Sequence, residues 1–416
     1  MRQGADTSPV GPAETPPVGP AGAVAPRARR ALIALCVTVT TSYGVLFYAF
    51  PVLAPAISMD TGWPLAHLTA AFSASQIVAG LGGALVGRWM ERSGPRAVMT
   101  WAAVVAVPAL AGIAWAPRLW GFFAAWLVAG AAMAGLFYPP AFAALTRWYG
   151  PRRTKALTVL TLAAGLASTI FAPLAVALEQ ALGWRGAYLA LAAVLGGVVV
   201  PLHAFALTAP WQSTGPASRA RAHADAVGPV VAGRAFLALT AALTLGAFGV
   251  YAVVVNLVPL LDARGFDATT AAWALGIGGI GQVLGRLVYA PLERRAGPVA
   301  RAVLVLAACA LTTGLLAAVS SPVALLMAIA LLAGMARGIF TLLEATAVAD
   351  RWGVERHATL NGVLHTPLML VLALSPWAGA ALAGPLGGYP AVFAALAAIG
   401  ALGAVAAVFT RPKRGG

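Results

Sequence analysis

Long apolar runs separated by short basic turns fill the chain from residue 27 onward. Six lie near 31–55, 66–88, 98–116, 119–145, 156–178 and 187–208, and six more near 234–261, 269–291, 301–320, 322–348, 358–383 and 388–410. Each matches the roughly 18–20 residues that span a bilayer core of about 30 Å. Hydrocarbon offers the backbone no hydrogen-bond partner, so each run is predicted to be a helix. The expected fold class is an all-α membrane protein of twelve transmembrane helices. Stretch 1–26, rich in Pro, Gly and Ala, reads as a disordered cytoplasmic tail because it has almost no large apolar side chains. Arg27, Arg29 and Arg30 then precede the first run as in a signal peptide, but that run continues to about Pro55 with no cleavage region behind it. It therefore reads as a retained first helix. The polar segment 209–233 is predicted to be a cytoplasmic linker between two six-helix bundles, 27–208 and 234–410, with 411–416 as a closing tail.

Composition agrees with the pattern. Of 416 residues, 61% are hydrophobic and only 9% charged, too few charges to solvate the surface of a soluble protein. The net charge of +15 raises the question of nucleic acid, and its placement answers it. With the N-terminus in the cytoplasm, 22 of the 27 Lys and Arg fall on tails and inward loops, among them Arg96, Arg152, Arg153 and Lys155. The outward loops hold Arg118, Arg185 and Arg264. This bias predicts a cytoplasmic (inner) membrane protein with both termini cytoplasmic, its basic loops facing anionic membrane lipids. Charges divided among short loops make no continuous basic face, so no nucleic-acid partner is expected. Cys36 and Cys309 sit singly in different runs and read as packing residues, with no metal or cofactor implied. Neither His-Glu-x-x-His nor Gly-x-x-x-x-Gly-Lys occurs, so neither an enzyme nor an ATP-driven pump is expected.

The two sets of runs repeat. Gly94-Pro95 recurs as Gly297-Pro298, 203 residues on, while Arg147-Trp148 recurs as Arg351-Trp352 and Gly183 as Gly387, both 204 residues on. Pro51 of the first run has a counterpart in Pro259 of the seventh. Near-equal spacing in order implies a duplicated six-helix unit.

Behind the second run stands Gly87-Arg88-Trp89-Met90-Glu91-Arg92-Ser93-Gly94-Pro95-Arg96. It resembles the signature between helices two and three of the major facilitator superfamily, whose members are built from two parallel six-helix repeats about an axis along the membrane normal. In that family the acidic residue and Arg help latch the cytoplasmic ends of the halves together in the outward-open state. The resemblance implies a latch at Gly87, Glu91, Arg92 and Gly94, with Glu91 where Asp is usual and Trp89 at an aliphatic position. A solvated basic turn is the alternative. Gly62-Trp63, the stretch Arg147-Trp148-Tyr149-Gly150-Pro151-Arg152-Arg153, Pro173-Leu174 and Gly183-Trp184-Arg185 resemble bacterial relatives of monocarboxylate transporters and oxalate–formate antiporters. The fourth run, Ala129-Gly130-Ala131-Ala132-Met133-Ala134-Gly135, lacks the embedded Arg that drug–proton antiporters carry.

Charged groups inside a bilayer are costly and usually face a wet cavity. Here they are Arg286, Arg337, Glu344 and His365, all in the second half. Two fixed positive charges against one carboxylate favour a small anion, and the planar Arg fork suits a carboxylate. Gln282, one turn before Arg286, shares its helix face. Resemblance to the monocarboxylate transporters implies that Arg286 binds substrate; the coupling Asp of those proteins is Gln282 here, and an amide does not titrate. Snorkelling to headgroups is the other reading of Arg286. Arg337 lies too deep to snorkel, and Gly334 and Gly338 leave room for a ligand beside it. Its other reading is an ion pair with Glu344, seven residues and about 10 Å along the helix. Glu344 and His365 are the candidate proton-coupling groups. Tyr43, Tyr48, Gln76, Tyr138, Tyr251, Asn256 and Asn361 complete the expected substrate cavity, each equally suited to helix packing. The expected protein is a monomeric secondary transporter moving a small organic anion, monocarboxylates among the candidates, by alternating access with protons as candidate coupling ion. Efflux of an amphipathic drug or metabolite is the alternative.

Overall fold

The computed structural model describes residues 26–211, 228–353 and 357–411, which are almost entirely helical. The predicted tail lies outside them save for Pro26, as do 212–227 of the predicted linker and 412–416. Ten helical runs among the described residues are long and apolar enough to cross a membrane. Two are too long for one crossing: Leu65–Trp115 has 51 residues and Arg153–Ala206 has 54, about 77 and 81 Å at the α-helical rise. Each holds a glycine in the left-handed region, Gly94 at φ 75° and Gly183 at φ 68°, where the chain turns. A side chain at either position would meet its own backbone, which is why glycine stands there.

Division at those glycines produces the expected twelve helices. The first half comprises α1 (Pro26–Thr61), α2 (65–93), α3 (95–115), α4 (Leu119–Tyr149), α5 (153–182) and α6 (184–206). The second comprises α7 (Arg234–Asp262), α8 (Ala268–Arg295), α9 (Pro298–Ala318), α10 (Val323–Thr346), α11 (His357–Ala383) and α12 (Tyr389–Val408). The backbone bears out the repeat and extends it. Gly62 and Gly265 carry positive φ behind α1 and α7, and Gly150 and Gly353 do so behind α4 and α10, each pair 203 residues apart. Gly94 and Gly297 differ, because Gly297 caps α9 with an ordinary φ of −64°.

Several helices are broken near their middles. A π-turn at Gly44–Tyr48 interrupts α1, and a Cβ on Gly44 would stand 2.1 Å from the Phe171 ring of α5. Helix α4 breaks at Phe137, which is extended, and Pro139 and Pro140 begin its second segment, where a missing N–H costs nothing. In α11, Pro376 cannot donate to the Leu372 carbonyl, and the Ser375 hydroxyl does so at 3.3 Å.

Close packing rests on small residues, as expected where lipid provides no hydrophobic drive between helices. Helices α8 and α10 show this most clearly. A Cβ on Gly281, Gly285, Gly334 or Gly338 would stand 2.0 or 2.1 Å from a carbonyl oxygen of the facing helix. The room expected for a ligand beside Arg337 is thus filled by the α8 backbone.

Call the end of the bundle where each half begins and finishes the terminal end, and the opposite one the far end. At the far end one continuous apolar cluster unites both halves, running from Val45–Ile57 of α1 through Phe171–Val176 of α5 to Ala252–Leu261 of α7 and Ile329 of α10. At the terminal end the halves keep separate clusters, one around Leu35 and Leu160 and the other around Leu243 and Phe340. The α2 helix follows the same division. Most of 68–76 is buried, whereas no residue from Ile77 to Trp89 is. The seam between halves is therefore closed at the far end and parted along α2 at the terminal end.

Candidate functional site

Where the three apolar clusters meet, the broken helices place a group of tyrosines and charged side chains. Tyr43 precedes the π-turn of α1 and Tyr48 ends it, and Tyr138 opens the second segment of α4. The Tyr43 ring lies 4.9 Å from that of Tyr138 and stacks on Phe137 at 4.0 Å. Tyr43 also lies within electrostatic reach of Tyr48 and Tyr251. From the second half, Tyr251 of α7 lies within reach of Tyr48, Tyr138, Arg337 and Glu344. Four hydroxyls from two halves thus face two guanidiniums and one carboxylate.

Arg286 crosses the seam. Its Nη1 donates to the Thr161 carbonyl of α5, and Tyr138 lies within its electrostatic reach. Gly165 makes space for it, since a Cβ there would stand 3.0 Å from Nη1. Arg286 therefore ties the two halves rather than snorkelling. Arg337 is buried at 8% exposure, and its Nη2 donates to the Gln282 side-chain oxygen at 3.3 Å. The α8–α10 glycine contact sets that distance by bringing the two backbones together. Its Nε has no hydrogen-bond partner among the described residues. Among the described residues neither Arg286 nor Arg337 has a carboxylate within 4.0 Å, so the alternative ion pair with Glu344 is not formed. The Arg337 side chain also borders a cavity of ≈ 30 Å³ inside the second half, shared with Cys309, Thr312 and Thr313. That is room for about one water.

The remaining candidates lie elsewhere or are otherwise engaged. Asn256 is fully buried and joins α7 to α11, donating to the Ala252 and Pro376 carbonyls at 2.9 and 3.3 Å. His365 Nδ1 lies 3.0 Å from the Asn361 carbonyl one turn back on α11, and the Asn361 side-chain oxygen has no partner among the described residues. Gln76 contacts the Met133 sulfur at 3.4 Å. Cys36 and Cys309 are free thiols, as expected of packing residues.

The signature turn lies at the terminal end. Glu91 accepts two hydrogen bonds from Arg147 at the close of α4, at 2.7 and 2.8 Å. Trp211, just beyond α6, stacks on the Arg147 guanidinium at 4.1 Å and lies over Gly94, where a Cβ would meet it at 3.3 Å. Arg92 is exposed, and Gly87 has open space around it. In this conformation Glu91 binds within its own half. The second half has a matching tie: Arg301, 2% exposed, pairs with Asp350 and, at 3.8 Å, with Glu293. The pattern of apolar runs gave no warning of Arg301 or Trp211. Arg301 looks like an ordinary loop cation at a helix start, and Trp211 opens a polar segment without periodicity.

Some basic residues do more than face headgroups. Arg264 donates to the Ala317 and Val319 carbonyls at 2.6 and 2.9 Å, capping α9, and Arg351 donates to Pro298, Ala347 and Thr410. Helix C-termini leave carbonyls such as those of Ala317, Ala347 and Thr410 unpaired, whereas Pro298 opens α9.

Several solved structures share the architecture. A bacterial homologue of the human lysosomal transporter Spinster, inward-facing and unoccupied, aligns with a TM-score of 0.70 at 16% identity, covering 93% of this chain and 95% of that one. The nucleoside transporter NupG aligns with a TM-score of 0.70 at 15% identity, over 92% and 98%. A POT family transporter in complex with 5-aminolevulinic acid does so at 0.70 and 12% identity, over 90% and 95%. Identities this low establish a common fold alone. No curated protein matches the chain in sequence. The family described as the Major Facilitator Superfamily matches two overlapping stretches, 35–322 and 237–416. A duplicated twelve-helix membrane fold and a family match over nearly its whole length together establish that the chain belongs to the Major Facilitator Superfamily of membrane transporters.

Proposed function

We propose that this transporter moves a small organic anion, with monocarboxylates first among the candidates, through a site built on Arg286 and Arg337, and that Glu344 carries a coupled proton. One observation carries the anion reading. Arg337 is a buried guanidinium that, among the described residues, donates to the neutral Gln282 amide and has its Nε unpaired. Taking a charge out of water costs several kcal/mol unless an opposite charge compensates it. An incoming carboxylate supplies both that charge and two acceptors for the guanidinium fork. The second segment of α4 begins at Tyr138, within electrostatic reach of Arg286 and Arg337, so its positive N-terminal end adds to the field there. Gln282 replaces the carboxylate that titrates in the monocarboxylate transporters, so the proton falls to Glu344, which shares Tyr251 with Arg337.

Secondary transport by alternating access fits the seam. Closed at the far end and parted at the terminal end, it is one of the two states such a cycle requires. An anion entering the site competes with the Thr161 carbonyl for Arg286, which couples substrate binding to a contact between the halves. An aromatic wall of Tyr43, Phe47, Tyr48 and Phe137 favours the second reading, efflux of an amphipathic compound.

The test is thermal stability of the purified protein in detergent against small carboxylates and lipophilic cations, with Arg286→Ala and Arg337→Ala alongside. A carboxylate is expected to raise the midpoint of the native protein and to lose that effect in both variants. Stabilisation by lipophilic cations alone, equal in all three proteins, transfers the assignment to efflux. Transport indifferent to an uncoupler and to pH would remove Glu344 from the mechanism.

A further inference from the structure

An exposed groove of ≈ 480 Å³ runs between the start of α1 and the end of α6, and no residue of the central site lines it. Its size falls within the roughly 300–1,000 Å³ typical of small-molecule sites. Arg29, Ile33 and Val37 follow one another at four-residue intervals along α1, with Arg30 beside them. Leu202 and Phe205 form the facing wall on α6. Two features mark it as more than a gap. Ile33 and Phe205 are large apolar side chains left 58% and 67% exposed, which hydrocarbon accepts and water does not. Above them, exposed Arg29 and Arg30 pair with no carboxylate among the described residues.

The order along the groove is informative. Arg30 lies about one turn from the start of α1, and Val37 lies about 10 Å deeper. Phe205 belongs to the last turn of α6, at the depth where aromatic rings meet headgroups. Charge at the membrane surface followed by an apolar channel reproduces the sequence phosphate, then acyl chain. A soluble anion would leave the channel unused, and an apolar peptide would leave both guanidiniums unpaired.

We infer that this groove seats one anionic phospholipid of the leaflet at the terminal end, its phosphate held by Arg29 and Arg30 beside Phe205 and one acyl chain lying along Ile33, Val37 and Leu202. The lipid braces α1 against α6. Since α1 carries Tyr43 and Tyr48, its occupancy bears on the part of the first half that faces the central site.

The full chain in mild detergent is titrated with phosphatidylglycerol or phosphatidylcholine, and retained lipid is counted by native mass spectrometry, with thermal unfolding as a second readout. One phosphatidylglycerol is expected to be retained in preference to phosphatidylcholine. Arg29→Gln with Arg30→Gln is expected to raise its dissociation constant roughly 30-fold, from the usual contribution of two basic side chains near a lipid surface. Arg294→Gln with Arg295→Gln, an exposed pair at the end of α8, controls for general charge and is expected to leave it unchanged. Equal retention of phosphatidylcholine, or equal loss in both double variants, overturns the assignment. So does displacement by millimolar inorganic phosphate, which would mark a site for a free anion. Retention that rises when residues 1–25 are removed would give the groove to that segment of the chain instead.

Discussion

Gly338→Ala puts the closeness of α8 and α10 to a direct test. The new Cβ would stand 2.1 Å from the Gln282 carbonyl oxygen and 2.9 Å from its carbon. Carbon–oxygen contacts settle at roughly 3.3 Å or more, so the helices have to separate by about 1 Å. No rotamer relieves this, because the obstacle is backbone. Overpacking of this kind costs about 1–3 kcal/mol. Ala regains up to about 1 kcal/mol of helix propensity over Gly. With a rigid obstacle the cost falls near the top of its range, leaving a net loss of about 2 kcal/mol. Separation also lengthens the 3.3 Å bond from Arg337 to Gln282, so anion-induced stabilisation should weaken with it. Gly362→Ala is the matched control: it lies in α11, nothing approaches its Cβ position within 4 Å, and the propensity gain comes without a clash. Thermal unfolding in one detergent compares the two. Gly338→Ala is expected to unfold well below the native midpoint and Gly362→Ala at or slightly above it. Equal midpoints for the two variants would refute the close approach of α8 and α10, and with it the geometric account of Arg337.

Gly94→Ala forces a side chain into the left-handed region at φ 75° and toward Trp211, and it is expected to lose about 1–2 kcal/mol of stability, whereas Gly87→Ala in open space loses none; thermal midpoints decide. Asp267 caps α8 by accepting the Thr270 N–H at 2.9 Å and the Thr270 hydroxyl at 2.7 Å, and the backbone bond first, then the hydroxyl, hold its carboxyl below the usual range. A folded-state pKa that is depressed contributes stability fully above the unfolded value of about 3.9, and that contribution is lost as pH falls through the lower folded value. The midpoint difference between the native protein and Asp267→Asn should therefore shrink below about pH 4, and a difference constant into acid would contradict the cap.

How much of this was legible beforehand varies with the length scale of the interaction. Helix positions were legible to within a few residues, because in hydrocarbon a run of apolar residues has no alternative to a helix and its length follows from the bilayer. The duplication was legible in spacing: Gly183 and Gly387, 204 residues apart, both stand where the chain needs positive φ, whereas Gly94 has it and its counterpart Gly297 does not. Arg286, Arg337 and Glu344 were marked by the cost of placing charge in a membrane. Their arrangement was not legible. Whether Arg337 met Glu344 or Gln282, and whether Arg286 reached a headgroup or the opposite half, depended on distances between helices far apart in sequence. Gly334 and Gly338 illustrate the same limit, since a small residue leaves room and only the neighbouring helix determines what fills it.

By itself, then, the sequence determined the membrane class, the twelve helices, the twofold repeat and the few side chains costly enough to demand a function, because each follows from interactions within a segment or between a segment and its solvent. Tertiary structure alone decided the rest: that Glu91 binds Arg147 under Trp211, that Asn256 ties α7 to α11, that four tyrosines meet two arginines at the seam, and that the seam is closed at one end. Those outcomes are set by backbone approaches of a few ångströms between helices that local pattern cannot order in space.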